Sequence, residues 1–328
     1  MDQQTNTPFE NRLPLEELNH SAFRIRTEIN KVIVGQEKVL DLLLTAVIAN
    51  GHVLIEGVPG VAKTMMAKLL AKSVSSDFSR IQFTPDLMPS DVLGTMVFNT
   101  GKSEFEFNKG PIFSNLVLID EVNRAPAKTQ AALFEVMEER QVTIDGTTRA
   151  MTPPFLVMAT QNPVEHEGTY RLPEAQLDRF LFKIKIDYPN LEQEVSILAN
   201  AQNRQEKDAL SQINEAVTGE EIVKYQEMAA KVIVEDDLLR YIAQIVDKTR
   251  THGALFLGGS PRSSLAILTA AKAFAALEGR DFVTPDDIKF VMIPVLNHRV
   301  ILTPEKEMEG IKPEVIIQQI IDSVEVPR

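Results

Sequence analysis

The chain has 328 residues, 44% of them hydrophobic and 24% charged, and it contains no cysteine. This composition excludes disordered, collagen-like and disulfide-stapled proteins, and the length suits about two domains at roughly 150 residues each. The formal net charge of −12 argues against nucleic acid as a partner, because an acidic surface repels phosphate groups unless its basic residues are clustered. The chain starts without a signal-peptide pattern, and its apolar stretches are far shorter than the ~20 residues of a membrane span, so we expect a soluble, cytoplasmic protein.

Five short apolar runs occur in order between residues 51 and 186: HVLIEG, RIQFT, NLVLID, FLVMAT and LFKIKI. Their apolar character is continuous rather than alternating, which is typical of parallel strands buried on both faces. Helical patterns occupy residues 63–72 and 128–140 between them. The sequence therefore predicts an α/β domain over residues 1–190.

Two stretches within this domain have the pattern of β-hairpins. Residues 97–110 alternate at Phe105 and Phe107 around a Thr-Gly turn, and residues 142–151 contain Asp145-Gly146, a favoured two-residue hairpin turn. Such hairpins either contact a client or decorate the edge of the domain, and the pattern does not separate these alternatives.

Amphipathic helices replace the strands after residue 190. In residues 235–249 the apolar side chains share one face at 3.6-residue spacing. Ser260-Pro261 and Thr284-Pro285 each place a capping residue before a proline, as at a helix N-terminus. Residues 191–328 are therefore predicted to form a second, all-helical domain.

The segment GVPGVAKT, residues 57–64, follows the first predicted strand and precedes a helix. This order wraps backbone N–H groups around a polyphosphate, with Lys63 on the outer phosphates and the Thr64 hydroxyl on Mg²⁺. Ala62 stands where the usual pattern has glycine. Alanine fits there without strain in a helical conformation, whereas a positive φ would be unfavourable. The alternative is a simple turn that starts a buried helix.

Further polar residues stand at the ends of the predicted strands. Asp120 and Glu121 end NLVLIDE, where they could hold Mg²⁺ and activate water, or form only a solvated turn. Asn162 follows the next strand as a neutral donor. Arg179 opens the last strand and Arg262 a helix of the second domain, and either could be an ordinary salt-bridge partner.

Five long motifs occur in fixed order: GVPGVAKT, FTPDLMPSDVLG, GPIFSNLVLIDEVNRAPAKTQAALFEVMEERQVTIDG, ATQNPVEHEGTYRLPEAQLDRF and GGSPRSS. Together they resemble the MoxR family of AAA+ ATPases over residues 32–299. The resemblance implies a P-loop core with a five-stranded parallel sheet in the order 5-1-4-3-2, hairpin inserts and a helical lid, with ATP between core and lid.

The resemblance also assigns roles to single residues. Lys63 and Thr64 would be the Walker A pair, Asp120 and Glu121 the Walker B pair, Asn162 sensor 1, Arg179 the arginine finger and Arg262 sensor 2. Thr64 and Asp120 would hold Mg²⁺. The nucleotide-binding residues would be Val34, Gly35, Gln36, Gly57, Val58, Pro59, Gly60, Val61, Ala62, Lys63, Thr64 and Met65.

The function implied is ATP hydrolysis with Mg²⁺, driving chaperone-like remodelling or maturation of protein complexes. The resemblance further implies a homo-oligomeric ring, with a hexamer expected, that acts on a protein client or through an adaptor with a von Willebrand factor A domain. Two alternatives stay open: the ATPase subunit of a metal chelatase, and a nucleotide-dependent ring scaffold with little hydrolysis. Glu121 argues against the scaffold, because a protein that only binds ATP needs no water-activating carboxylate.

Overall fold

The computed structural model describes residues 13–58, 60–162, 170, 172–203 and 209–327. The first part contains α1 (Glu16–Asn30), α2 (Glu37–Ile48), β1 (His52–Gly57), α3 (Lys63–Ser73), β2 (Phe78–Gln82), α4 (Pro89–Leu93), β3 (Gly94–Asn99), β4 (Glu104–Lys109), β5 (Leu116–Asp120), α5 (Ala127–Glu139), β6 (Gln141–Ile144), β7 (Thr147–Ala150), β8 (Leu156–Gln161), α6 (Glu174–Leu177) and β9 (Phe180–Ile186). The second contains α7 (Leu191–Asn203), α8 (Gly219–Ala230), α9 (Asp236–Thr251), β10 (Leu255–Leu257), α10 (Pro261–Leu277), α11 (Pro285–Leu296), β11 (Ile301–Leu302), α12 (Pro304–Met308) and α13 (Pro313–Asp322).

The central sheet is parallel and has the strand order β2-β5-β8-β1-β9. Numbering only these five strands along the chain gives 5-1-4-3-2, so the predicted order is confirmed. Strand β5 is buried at every position, and β8 at all but its last, as the continuous apolar runs predicted. All five strands point their carboxyl ends to one edge of the sheet, which is where ligands of open α/β sheets bind.

Both predicted hairpins are present, as β3–β4 and β6–β7. Asp145 and Gly146 both have positive φ, as the turn between β6 and β7 requires. The hairpins touch each other, because the Arg149 guanidinium lies 4.1 Å from the centre of the Phe107 ring. On the first hairpin, Phe98 and Phe105 form an edge-to-face pair and are 50% and 66% exposed, so this insert carries aromatic surface into solvent.

The second domain is helical, with one addition that the sequence analysis missed. Strands β10 and β11 form a short antiparallel pair within it. Thr284 caps α11 as predicted, in a reciprocal capping box with Asp287. Ser260 occupies the N-cap position of α10, but its side chain makes no capping hydrogen bond.

The two parts of the chain share buried surface. Leu43 of α2 belongs to the same apolar cluster as Ile267 of α10, so the helical domain packs against helices that precede the P-loop. The boundary between residues 190 and 191 stays a prediction. Among the described residues, no helix is long and apolar enough to span a membrane.

Two histidines lie in the core as neutral side chains. Nδ1 of His52 accepts a hydrogen bond from the Val157 N–H, and the Nε2–H of His52 donates to the Met137 carbonyl, each at 3.0 Å. Burial lowers the pKa of His52 to about 3, and the nearby positive charge of Arg140 contributes to the shift. Burial, then the charge of Arg299, lowers the pKa of His298 well below its usual value.

These histidines should make the fold sensitive to mild acid. Their folded-state pKa values lie below the unfolded value of about 6.5, so their contribution to stability is complete above that pH and is lost as the pH falls towards the folded pKa. Between about pH 7.5 and about pH 5.5, His52 should remove about 1.4 kcal/mol of unfolding free energy, measured by urea titration, and His298 should act in the same direction. His52→Gln, which does not titrate, should remove its share of this dependence. An unchanged dependence in the variant would contradict the assignment.

Candidate nucleotide site

The loop after β1 is shaped as an anion cradle. Gly57 ends β1 and Lys63 begins α3, an 11-residue helix whose free N–H groups face the loop. Gly60 has φ of 89° and nothing within 4 Å of the position that a Cβ would take, so the loop is open at this point. Lys63 Nζ donates to the Gly57 carbonyl at 2.5 Å, which folds the lysine over the cradle. Pro59 lies outside the described residues.

Ala62 adopts the conformation that the sequence analysis regarded as unfavourable. Its φ is 61° and its ψ is 21°, in the left-handed region, immediately before α3. A side chain with a Cβ costs about 1–2 kcal/mol in this conformation, and glycine avoids that cost. The chain therefore carries backbone strain at the residue next to Lys63.

Ala62→Gly should raise the unfolding free energy by about 1 kcal/mol, because relief of the left-handed strain exceeds the added flexibility of the unfolded chain. Ala67→Gly is a matched control, since Ala67 lies inside α3 and glycine there should lower stability by about 1 kcal/mol or more. Denaturant titration of both variants measures the difference. Equal losses in the two would show that Ala62 is not left-handed.

A cavity of about 400 Å³ lies beside the cradle. Seven of the predicted nucleotide-binding residues line it: Val34, Gly35, Gln36, Gly60, Val61, Ala62 and Met65. Gln36 Nε2 donates to the Val61 carbonyl at 3.3 Å, whereas its buried Oε1 has no hydrogen-bond partner among the described residues. The mainly apolar lining of the cavity, directly beside the cradle, suits the base of a nucleotide whose phosphates lie in the cradle.

The far wall of this cavity was not predicted. It comes from the end of β9 and from α7, through Lys185, Asp187, Tyr188, Gln193 and Ile197. A Cβ on Gly35 would lie 2.2 Å from the Gln193 side chain, so the two walls meet closely there. The sequence lacked a signal for this wall because its residues share no motif.

Asp120 ends β5 with two polar partners. Arg80 Nε on β2 donates to Asp120 Oδ2 at 2.6 Å, and Thr160 Oγ1 on β8 donates to Oδ1 at 3.2 Å. Thr160 Oγ1 also accepts from the Glu121 N–H at 3.1 Å. One buried threonine therefore fixes the positions of both carboxylate residues.

Glu121 has a left-handed backbone, with φ of 58°, which turns its side chain out of the line of β5. Gln82 Nε2 donates to Glu121 Oε2 at 2.8 Å, and an Arg124 guanidinium nitrogen donates to the same oxygen at 3.0 Å. Neither Gln82 nor Arg124 was predicted from the sequence to be a site residue. Arg80 and Gln82 are two positions apart on β2 and therefore share a face. Only the pairing of β2 with β5 shows that both side chains reach the carboxylates.

Asn162 and the P-loop complete the carboxyl edge of the sheet. Asn162 follows β8, which lies between β5 and β1, and it is buried. Thr64 is the second residue of α3. The fold therefore places the predicted Walker A, Walker B and sensor 1 residues at one edge.

A magnesium ion fits this edge under one condition. Among the described residues, no group of three or more His, Cys, Asp or Glu could hold a metal. Mg²⁺ usually takes one or two protein oxygens together with water and phosphate oxygens. Asp120 and the Thr64 hydroxyl satisfy that requirement when a nucleotide supplies the phosphates.

The two predicted arginines lie at the opposite edge of the sheet. Arg179 precedes Phe180, which pairs with His52 at the start of β1, whereas the P-loop follows the other end of β1. Six residues of strand separate these edges by about 20 Å. Arg262, from the helical domain, lies beside Arg179, because both contact Glu138 at the end of α5.

Further ion pairs join Arg179, Arg262 and Glu138 to Asp178 and Arg299 in one cluster of charged side chains. Asp178 Oδ1 accepts from Arg299 Nε at 2.7 Å, and Asp178 Oδ2 lies 3.8 Å from an Arg262 nitrogen. The Arg299 guanidinium also donates to backbone carbonyls on both sides of the domain junction, at Phe180 and Val295. Glu138 lies within one of the five motifs and Arg299 at the end of the resemblance, but neither was assigned a role from the sequence.

Comparison with known proteins identifies two family models that match the chain and several relatives. Residues 52–182 match the ATPase family associated with various cellular activities (AAA), and residues 247–320 match the AAA lid domain. The chain is 49% identical to uncharacterized protein YeaC of Bacillus subtilis, covering 91% of this chain and 92% of the relative. It is 45% identical to chaperone MoxR1 of Mycobacterium tuberculosis, covering 94% and 83%.

A solved structure shows the same fold. The crystal structure of an inferred ATPase from Cytophaga hutchinsonii has a TM-score of 0.88 and 43% identity, covering 96% of this chain and 97% of that one. With the strand order, the P-loop and the helical lid, these likenesses settle the family. The chain belongs to the MoxR family of AAA+ ATPases.

Proposed function

We propose that this protein hydrolyses ATP with Mg²⁺ at sites shared between neighbouring copies in a ring, and that it uses the energy to remodel protein complexes. The observation that carries the proposal is the division of the predicted site. The cradle and the carboxylates occupy one edge of the sheet, and the two arginines occupy the other, about 20 Å away. A second copy must supply the arginines if they are to meet phosphate.

The chemistry within one copy follows from the residues at the carboxyl edge. Lys63 and the N-terminus of α3 bind the outer phosphates, while Thr64 and Asp120 hold Mg²⁺, which supplies charge neutralisation when bound. Within the described part of the chain, both hydrogen bonds to the Glu121 carboxylate are on Oε2, which leaves Oε1 for water. The oxygen of that water attacks the γ-phosphorus while Glu121 accepts one of the water's protons. The bond between the γ-phosphorus and the bridging oxygen breaks, and that oxygen leaves with ADP. Asn162 helps to position the water.

The neighbouring copy supplies positive charge. Arg179 is the arginine finger, and Arg262 acts with it, because the two guanidiniums belong to one cluster. The family resemblance makes Arg262 sensor 2, and in this arrangement it acts on the nucleotide of the neighbouring copy. The number of copies in the ring, expected to be six, follows from family resemblance alone.

The remodelling function rests on two further observations. The relative from Mycobacterium tuberculosis is named a chaperone. The hairpin β3–β4 presents the exposed Phe98 and Phe105 rings, and aromatic surface of this kind suits contact with a protein partner. The partner would be a client or an adaptor with a von Willebrand factor A domain.

Steady-state phosphate release, measured with and without Mg²⁺, tests the proposal. We expect turnover that requires Mg²⁺ and whose rate per chain rises with protein concentration as copies associate. Tight ATP binding with no phosphate release at any concentration would overturn hydrolysis and favour a nucleotide-dependent scaffold. The sedimentation coefficient of the protein, measured with and without ATP, reports ring assembly separately.

A further inference from the structure

Glu138 stands between the two arginines that the proposed function assigns to the neighbouring site. It lies in the last turn of α5, and its side chain is 39% exposed. Its Oε1 is 3.6 Å from an Arg262 nitrogen, and its Oε2 is 3.9 Å from Arg179 Nε. One carboxylate thus contacts a guanidinium from each domain.

These contacts are too long and too exposed to contribute much to the free energy of unfolding. Both distances exceed those of strong charge-assisted hydrogen bonds, and an exposed ion pair contributes about 1 kcal/mol or less. Their effect is on placement instead. Two guanidiniums this close repel each other, and a carboxylate between them neutralises part of that repulsion.

In the described structure each arginine has one other side-chain restraint, and both restraints belong to the first domain. An Arg179 nitrogen donates to the Phe134 carbonyl, one turn before Glu138 on α5. Arg262 lies near Asp178. Glu138 contacts both guanidiniums, and together with Asp178 it ties Arg262 of the helical domain to the first domain.

We propose, building on the ATPase function proposed above, that Glu138 is a positioning residue that presents Arg179 and Arg262 together to the γ-phosphate bound by a neighbouring copy. The side-chain conformations of Arg179 and Arg262 are then already restricted before the neighbour's nucleotide binds. Because a small misplacement of a charged group at a reacting phosphate is costly, losing Glu138 slows turnover without weakening nucleotide binding.

The chain offers a matched control on the same helix. Glu135 lies one turn earlier on α5, is also exposed, and forms no salt bridge in the described structure. Glu138→Gln and Glu135→Gln make the same chemical change, so general effects of removing a negative charge from α5 appear in both. Glu138→Asp keeps the charge but shortens its reach.

The test measures phosphate release at a protein concentration where the wild-type rate per chain has reached its plateau. We expect kcat of Glu138→Gln to fall about tenfold with KM unchanged, Glu138→Asp to recover part of the loss, and Glu135→Gln to match wild type. Thermal unfolding of each variant establishes that it is folded under the assay conditions.

Mixing separates a positioning role from a local structural one. Glu121→Gln subunits retain Glu138 and both arginines, so adding them to Glu138→Gln subunits should restore turnover at mixed interfaces. A rate equal to wild type in Glu138→Gln, or a loss that mixing does not recover, would overturn the proposal. If the wild-type chain itself releases no phosphate, the ATPase function fails, and this proposal with it. An active wild type with an unaffected Glu138→Gln rejects only the role of Glu138.

Discussion

Glu121→Gln should bind ATP as tightly as wild type and hydrolyse it about 10²–10⁴ times more slowly, the range typical for loss of a general base. The amide keeps the size and the hydrogen-bonding oxygen of the side chain, so Gln82 and Arg124 can still hold it. It cannot accept the proton of water. The loss therefore falls on the transition state and leaves ground-state binding intact.

Lys63→Ala should give the opposite pattern, because the proposed role of Lys63 is to contact phosphate before any reaction begins. We expect calorimetry to show no measurable ATP binding for Lys63→Ala and normal binding for Glu121→Gln. Lys68→Ala is a control for removing a positive charge from α3, since Lys68 lies more than one turn beyond the P-loop. Normal ATP affinity in Lys63→Ala would refute the cradle assignment.

The apolar runs alone were sufficient to locate strands of the central sheet. The strands β5 and β8 could be located because continuous apolar runs of five or six residues have few alternatives to double burial. The strand order came from family resemblance, since apolar runs identify strands but not which strands are neighbours. The hairpin turn at Asp145-Gly146 was predictable because few residue pairs accept positive φ at both positions.

The contacts that orient the site were not predictable in the same way. Thr160 hydrogen-bonds both carboxylate residues, yet a threonine in a buried strand is ordinary in sequence. Its role depends on β8 lying beside β5, which is a property of the sheet and not of any local pattern. The same holds for Gln82, which reaches Glu121 across the pairing of β2 with β5.

Ala62 shows a different limit. The motif identified the loop, but whether its sixth residue is helical or left-handed depends on how the loop joins α3. The chain accepts the strained conformation next to Lys63, the lysine predicted to bind phosphate. Strained residues of this kind persist where the surrounding structure fixes them, and they concentrate at functional sites.

Arg179→Ala should reduce ATP hydrolysis by about 10³–10⁵, the range for loss of an arginine finger, while leaving ATP affinity near that of wild type. The reason is the distance between the two edges of the sheet. Arg179 adjoins the start of β9 and the P-loop adjoins the end of β1, so the arginine cannot reach the phosphate held by its own chain. Its contribution appears only where two copies meet.

The decisive measurement is a mixture of Arg179→Ala and Glu121→Gln chains, each inactive alone. An interface that joins an intact Glu121 from one chain to an intact Arg179 from the other should be active, so phosphate release should reappear on mixing. Arg149→Ala provides a control, because Arg149 stacks on the β3–β4 hairpin and is not one of the two arginines beside Glu138. It should hydrolyse ATP alone at a near wild-type rate.

Two outcomes would reject the shared site. If Arg179→Ala kept full activity, Arg179 would be only an ion-pair partner of Glu138, and exposed ion pairs usually contribute little. An inactive Arg179→Ala that stays inactive in the mixture, although the two variants co-assemble, would place its effect within its own chain. Recovery on mixing requires that the arginine edge of one copy faces the nucleotide edge of the next. Repetition of that head-to-tail contact generates a ring when the rotation between copies closes.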